Sequence, residues 1–469
     1  MRSRIWPVAL LLALAGCSSA ANRPGPEPPV TWKQWATPEA AGFDANALEA
    51  ARSEADRAGS AAVVVVYGGD VLAAWGDVDR KLELHSVRKS LYSALWGIAE
   101  AKGLVDLDST LAALGVDDIQ PLTEAEKSAR LVDLLRARSG VYHPSAYADA
   151  SDRSSLPSRG AHSPGTFWHY NNWDFNVAGA LLEQVTGQPL GVLFDDWIAK
   201  PVGMQDFEPD DVYAVLEPGQ SRWPALTFRM STRDLARFGQ LWLDHGRWHE
   251  RQILPAGWVE RASEPASVTG PGQGYGMMWW TYDAGSVGAE RYPQVSQNGV
   301  VLARGTGGQA IFIIPEQDMV IVHRGDTDHG RGVSGGAIWT TVDRVLAARR
   351  SEPSASAALV ALDPVPLANQ LPELEWPEPL DVDRATLESL AGSYEFGPGM
   401  VGRVFIYDGR LFAYMPGEGE AELFAKSQDT FFLRVDPTVG VKFSRDGSRV
   451  DRVTITMKGQ ELVGRRIEK

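Results

Sequence analysis

The chain has 469 residues, 44% of them hydrophobic and 22% charged, a composition that belongs to folded globular proteins and excludes a disordered or fibrous chain. Its length exceeds what one hydrophobic core usually serves, so one large domain and at least one smaller one are expected. A formal charge of -15, with no Lys/Arg block to interrupt it, sets the surface against phosphate backbones and excludes nucleic acid as the expected partner.

At the amino terminus Arg2 and Arg4 precede the apolar run Val8 to Ala15, which is too short to cross a bilayer as a helix and reads as an export signal over residues 1–16. The run ends Leu14-Ala15-Gly16-Cys17, which resembles the lipobox of bacterial lipoproteins. That resemblance implies cleavage before Cys17 and a diacylglycerol on its thiol, hence a membrane partner and a lipid-anchored place in the cell envelope, facing the periplasm or exterior. Ser18 after the cysteine favours the outer membrane where the source has one. Cys17 is the only cysteine, so no internal disulfide is expected. Residues 17–30, rich in proline and without apolar periodicity, read as a tether.

Ala61 to Tyr67 is a β-branched apolar run stopped by Gly68-Gly69 and answered by Val71 to Trp75, the pattern of a hairpin in a well-buried sheet. His85-Ser86-Val87-Arg88-Lys89-Ser90 then opens a helix whose apolar positions Val87, Leu91, Leu95 and Ile98 recur at helical spacing, with Gly103 as its stop. Ser86 falls at the helix start, where free amides and the dipole favour a developing alkoxide, and Lys89 lies three residues on over the same face. A serine becomes nucleophilic only when a base takes its proton, and a lysine can do so only if burial or nearby positive charge lowers its pKa.

Further along, Arg130 to Arg136, Trp173 to Thr186 and Arg233 to Leu243 read as helices. Ser163-Pro-Gly-Thr-Phe-Trp-His-Tyr170-Asn171-Asn172 reads as a turn that leads into the second of them. His245 and His249 have ligand-like spacing, but Gly246 between them and the missing His-Glu-x-x-His make a surface turn, and no metal or other cofactor is expected. Gly299 to Ala303, Gln309 to Ile314 and Met319 to His323 repeat the strand pattern, with Arg304-Gly305-Thr306-Gly307-Gly308 between the first two and the helix Ser334 to Ala348 after the third. His85 and His169 are expected as scaffold or pocket-wall residues. Residues 351–380 read as a proline-rich linker, and 381–469 as a small β-barrel or sandwich of short strands with turns at Asp408-Gly409, Asp446-Gly447 and Lys458-Gly459.

Ser86-x-x-Lys89, Tyr170-x-Asn172 and the Gly305-x-Gly307 strand motif, in this order, resemble the serine β-lactamase and penicillin-binding protein superfamily, and the Tyr-x-Asn form is similar to class C β-lactamases and their esterase and amide-hydrolase kin. Leu134-Leu135-x-x-x-Ser139-Gly140, Pro201 to Met204 and Met230 to Gly239 support the resemblance. It implies an α+β fold: a mainly antiparallel five-stranded sheet flanked by helices, with a helical region as the other wall of the site, in a domain over residues 31–350. It also implies roles. Ser86 would be acylated, Lys89 and Tyr170 would shuttle its proton, Asn172 would orient substrate and lysine, and Gly305, Thr306, Gly307 and Gly308 would line the substrate, with the amides of Ser86 and Gly308 as oxyanion hole.

One departure shapes the expected substrate. Penicillin-binding proteins and class C β-lactamases carry Lys-Thr-Gly on that strand, the lysine helping to hold a carboxylate, whereas the corresponding triplet here is Gly305-Thr306-Gly307. Arg304 is adjacent, but strand neighbours point to opposite faces, so it is expected to be turned away. The Gly-x-Gly form is similar to 6-aminohexanoate-dimer hydrolases and some family esterases, and Tyr142-His143-Pro144 fits that branch. The expected activity is therefore hydrolysis of amide or ester bonds in small molecules or short peptides through an acyl-enzyme. A penicillin-interactive D-alanyl-D-alanine carboxypeptidase or β-lactamase, and a non-catalytic envelope-binding lipoprotein, are the alternatives. The C-terminal β-region resembles small lipocalin-like domains appended to this family.

Overall fold

The run Ser60–Tyr67 forms a strand that is apolar from Ala61 onward because both of its faces are buried. Val64 and Val66 enter one core while Val63, Val65 and Tyr67 enter another, as the two-residue period of a strand requires. The structure, a computed structural model, describes residues 32–354, 357–368, 370–416, 418–447, 449–457 and 459–467; the expected signal, Cys17 and the tether through residue 30 lie outside them.

The main sheet has ten strands: β1 (Lys33–Trp35), β2 (Ser60–Tyr67), β3 (Asp70–Gly76), β4 (Ser267–Gly270), β5 (Gln273–Tyr275), β6 (Trp280–Tyr282), β7 (Val300–Gly305), β8 (Gln309–Ile314), β9 (Met319–Gly325) and β10 (Leu359–Ala361). Their spatial order is β10-β1-β3-β2-β9-β8-β7-β6-β5-β4. The five expected antiparallel strands, β3-β2-β9-β8-β7, are its centre. The sheet runs further at both edges, and β1 joins β3 in parallel register. Part of the stretch read as a linker is thus a strand: β10 pairs with β1, and Val365 exchanges backbone hydrogen bonds with Ala74 and Gly76.

Helices α1 (Ala45–Ala58) and α6 (Gly335–Ala347) cover one face of the sheet. The other face carries the helical region with α2 (Arg88–Ala101), α4 (Asn172–Thr186) and α5 (Thr232–Leu243), and the short α3 (Ala150–Ser155) lies in the insertion between α2 and α4. All but α2 start on a capping side chain; Asn171, for example, accepts from Trp173 N and Ser231 from Asp234 N. Gly103 follows α2 in the left-handed region at φ 68°. Among the described residues no helix is long and apolar enough to cross a membrane.

A nine-stranded antiparallel sheet occupies residues 392–467 and curls around Leu390, Tyr394, Phe431, Phe443 and Val453. Its end strands, Gly419–Glu422 and Phe424–Ala425, are consecutive in sequence yet not paired with each other, so the sheet is a near-barrel. Among the described residues it meets the helical region around Gly219 and Tyr213. Gly219 N donates to Glu420 at 2.7 Å, and the Arg434 guanidinium stands 5.8 Å from the Tyr213 ring.

Candidate active site

A one-turn helix, His85–Val87, leads into α2 and carries Ser86 at its centre. His85 holds φ at 48°, a left-handed backbone that costs energy for any residue with a side chain. Its imidazole is fixed at both nitrogens: Nδ1 lies 2.8 Å from the Tyr147 hydroxyl and Nε2 lies 3.0 Å from Thr327 Oγ1. The strained residue immediately before Ser86 is therefore clamped from two other segments.

One helical turn on, Lys89 is 1% exposed and its Nζ is the hub of the site. It lies 2.8 Å from Ser86 Oγ, 2.7 Å from the Tyr170 hydroxyl and 2.8 Å from Asn172 Oδ1. Three residues on two helices and the loop between them thus converge on one nitrogen. Burial, reinforced by the charge of Arg88, pushes the Lys89 ammonium well below the ordinary lysine range, against an opposing pull from Asp152. Burial raises the Tyr170 phenol to about 12, against hydrogen bonding from Ser86 and the charges of Arg88 and Arg304. A neutral amine has two N–H bonds and one lone pair. Asn172 Oδ1 can only accept, so it takes one N–H, and the lone pair is left to receive a hydroxyl proton from Ser86 or Tyr170.

Asn172 Nδ2 donates in turn to Asp152 Oδ2 at 2.7 Å. Asp152 lies on α3, and no periodicity or motif in the sequence marks it. Tyr147, also unmarked, has its backbone N–H bonded to Glu217 Oε1 at 3.0 Å and itself sits in the left-handed region at φ 59°. His169 packs edge-on to Tyr142 at 5.8 Å, beside the site.

The strand end that closes the site differs from the expected register. Gly305 is the glycine set against Ser86: a Cβ there would lie 2.6 Å from the Leu84 carbonyl and 3.0 Å from Ser86 N. No side chain fits at 305 without displacing the nucleophile turn, so the position read as equivalent to the lysine of Lys-Thr-Gly cannot hold one. Thr306 follows, exposed. Gly307 packs against Thr327, while Gly308 packs against Val333 and Ile338 on the α6 side and gives its carbonyl to His323 Nδ1 at 2.7 Å. The expectation that Gly308 stands beside Ser86 gives way to the Gly305–Thr306 end of the strand.

Arg304 is a further correction. Strand β6 pairs with β7 only from Val300 to Leu302, so residue 304 lies beyond the last rung of that edge. Its guanidinium lies 3.9 Å from the centre of the Trp280 ring, which is itself 5.7 Å from the Tyr170 ring at 26°. The side chain is turned towards the aromatic wall of the site and not away from it.

A sheet with two buried faces, a serine one turn before a buried lysine, and a tyrosine and asparagine on the same amine define the serine β-lactamase and penicillin-binding protein superfamily of hydrolases. The family model for β-lactamase matches residues 45–330, and the chain belongs to that family. Among solved structures it is similar to a Bacillus anthracis protein named as a 6-aminohexanoate-dimer hydrolase (20% identity, TM-score 0.48, 63% of this chain and 80% of that one). Others are a class C β-lactamase from Rhodobacter sphaeroides (19%, 0.46, 64% and 98%) and EstCE1, a hydrolase with promiscuous acyltransferase activity (16%, 0.48, 66% and 99%). Comparison with curated proteins gives no match.

Proposed function

We propose that the protein hydrolyses amide or ester bonds of small molecules or short peptides through an acyl-enzyme on Ser86. The observation that carries this reading is the convergence of Ser86 Oγ, Tyr170 and Asn172 on the buried Lys89 nitrogen. In the proposed sequence Ser86 Oγ attacks the carbonyl carbon as its proton passes to the neutral Lys89 amine, forming the C–O bond and a tetrahedral oxyanion. The Ser86 amide and the backbone at the Gly305–Thr306 end receive that oxyanion. Collapse breaks the bond to the leaving group, which takes the proton back through Tyr170, and water then reverses the sequence to release the acid.

Ser86→Ala should abolish turnover of a reactive ester while leaving the fold intact, since the change removes one hydroxyl. Lys89→Ala and Tyr170→Phe should each lower kcat by orders of magnitude. Intact-mass measurement after exposure to an ester, an oligo-amide and a penicillin reports which substrate acylates the chain and whether Ser86 carries the adduct. Unchanged hydrolysis by purified Ser86→Ala protein would place the active site elsewhere. We propose in addition that Cys17 carries the lipid of an envelope lipoprotein; Cys17→Ser should leave an unprocessed or soluble precursor, and normal membrane-bound lipoprotein from that variant would refute it.

A further inference from the structure

We propose that the cavity between the carboxyl end of α5 and the β1 edge of the main sheet is a binding site for a neutral sugar ring. The site does not depend on the hydrolase reading above. Its volume is about 340 Å³, at the small end of the roughly 300–1,000 Å³ common for small-molecule sites. The start of β1 and the β2–β3 turn face one side of α5 across it, and Trp248, just beyond that helix, forms a wall. The strand register sets this cavity at the end of the sheet away from Ser86. Tyr67, next to the β2–β3 turn, pairs with Met319, whereas Ser60 at the other end of β2 pairs with Gly325, which packs against Gly307 beside the active site. At about 3.3 Å per residue, the length of β2 puts roughly 20 Å between the two ends.

What gives the cavity its chemistry is an acceptor with nothing to accept. Gln240 lines it and is 4% exposed. Its Nε2 donates to Asp244 Oδ2 at 2.9 Å, and because a carboxylate takes only donors, that bond fixes which end of the amide is which. Oε1 is left buried with no partner among the described residues. Such an oxygen is costly to bury and is satisfied by a ligand that donates to it. The Asp70 side chain, on the facing turn, also makes no hydrogen bond with a described residue, and burial pushes its carboxyl pKa up against the charge of Lys33. The wall beside these acceptors is aromatic: Trp248 is half-exposed and meets Trp32 edge to face at 6.4 Å. A hydrocarbon ligand would cut both acceptors off from water without pairing them. An ion finds no unmatched charge, because Lys33 and Arg237 are offset by Asp70 and Asp244. Arg237 is moreover committed to the Val202 carbonyl at 3.0 Å and stands between the two indoles, 5.2 and 5.8 Å from their centres. A pyranose is neutral, carries hydroxyl donors around its rim for Gln240 and Asp70, and has an apolar face of C–H bonds for the negative face of an indole.

The test holds the ring constant and changes its charge. The protein is titrated with glucose, N-acetylglucosamine, glucosamine and sodium glucuronate, in buffer acidic enough to keep glucosamine protonated, and binding is read by saturation-transfer difference NMR. Glucose or N-acetylglucosamine should bind in the millimolar range or tighter, and severalfold more tightly than either charged sugar. Trp248→Leu removes the stacking wall, and Gln240→Met removes the acceptor at nearly constant volume. Each should weaken binding of the neutral sugar about tenfold, the worth of one such contact, in proteins whose far-ultraviolet circular dichroism is unchanged. Trp248 is half-exposed, so its variant decides the matter even where Gln240→Met does not fold. Tighter binding of the N-acetylglucosamine dimer than of the monomer would assign a glycan chain, and equal binding a free sugar; either upholds the site. No binding of the neutral sugars, tighter binding of a charged one, or an affinity unchanged in Trp248→Leu would overturn the proposal.

Discussion

An ammonium group taken out of water and set beside an arginine loses its proton more readily than one on the surface, and Lys89 is in that position. Because its pKa is depressed, the neutral amine that can accept the Ser86 proton grows in as pH rises through that lowered value, and acylation should show an acid limb there. Tyr170, held at about 12, keeps its proton across the neutral range and should contribute no limb below that value. In the proposed mechanism the phenol would therefore pass a proton along and would not stand as a phenolate. Asp152 opposes the depression of Lys89, so Asp152→Asn should move the acid limb to lower pH. A pH profile of kcat/KM for a neutral ester in both proteins checks the sign, and a limb that moves upward would refute the assignment of Lys89 as the base.

At the level of elements, the site is made where the end of β7 meets the turn that leads into α2. Gly305→Ala should be a sharp test of that junction, because its Cβ would meet the Leu84 carbonyl and the Ser86 amide, both backbone atoms that cannot rotate aside. We expect Gly305→Ala to cut fluorophosphonate labelling of Ser86 by at least tenfold in a protein whose far-ultraviolet circular dichroism is unchanged; undiminished labelling would show that the turn yields. The parts of this junction differ in how they are written in the chain. Ser86 and Lys89 could be picked out as candidates because their spacing puts them on one face, and Tyr170 and Asn172 because they stand at the start of a capped helix, the three motifs together carrying the reading. The seat of Arg304 on Trp280 was not legible because the indole comes from a different strand, β6, whose pairing with β7 ends at Leu302 while Arg304 itself still pairs with Ala310 of β8. Asp152 and Tyr147 left no trace, since both stand in an insertion without apolar periodicity and meet Asn172, His85 and Glu217 only through the fold. Strand β10 escaped notice because its partner, β1, is more than 300 residues distant and three exposed residues carry no periodicity.

For the molecule as a whole, the near-barrel touches the enzyme beside the site. Glu420 accepts from Gly219 N, and two residues earlier Glu217 holds both Arg153 Nη2, at 2.8 Å, and the backbone of Tyr147. Tyr147 clamps His85, and Arg153 neighbours Asp152 on α3. Glu420→Ala should accordingly lower kcat severalfold with little change in KM, while Glu420→Gln, which keeps an acceptor for Gly219, should retain most of the activity; steady-state kinetics of the three proteins decides, and an unaltered kcat in Glu420→Ala would mean that the barrel is a passenger. The sheet also fixes where any leash on the amino terminus must begin. Strand β1 is separated from β7 by five strand spacings, about 24 Å. A protein moored through the residues before Lys33 would be held from one margin of the sheet, with its nucleophile set towards the other.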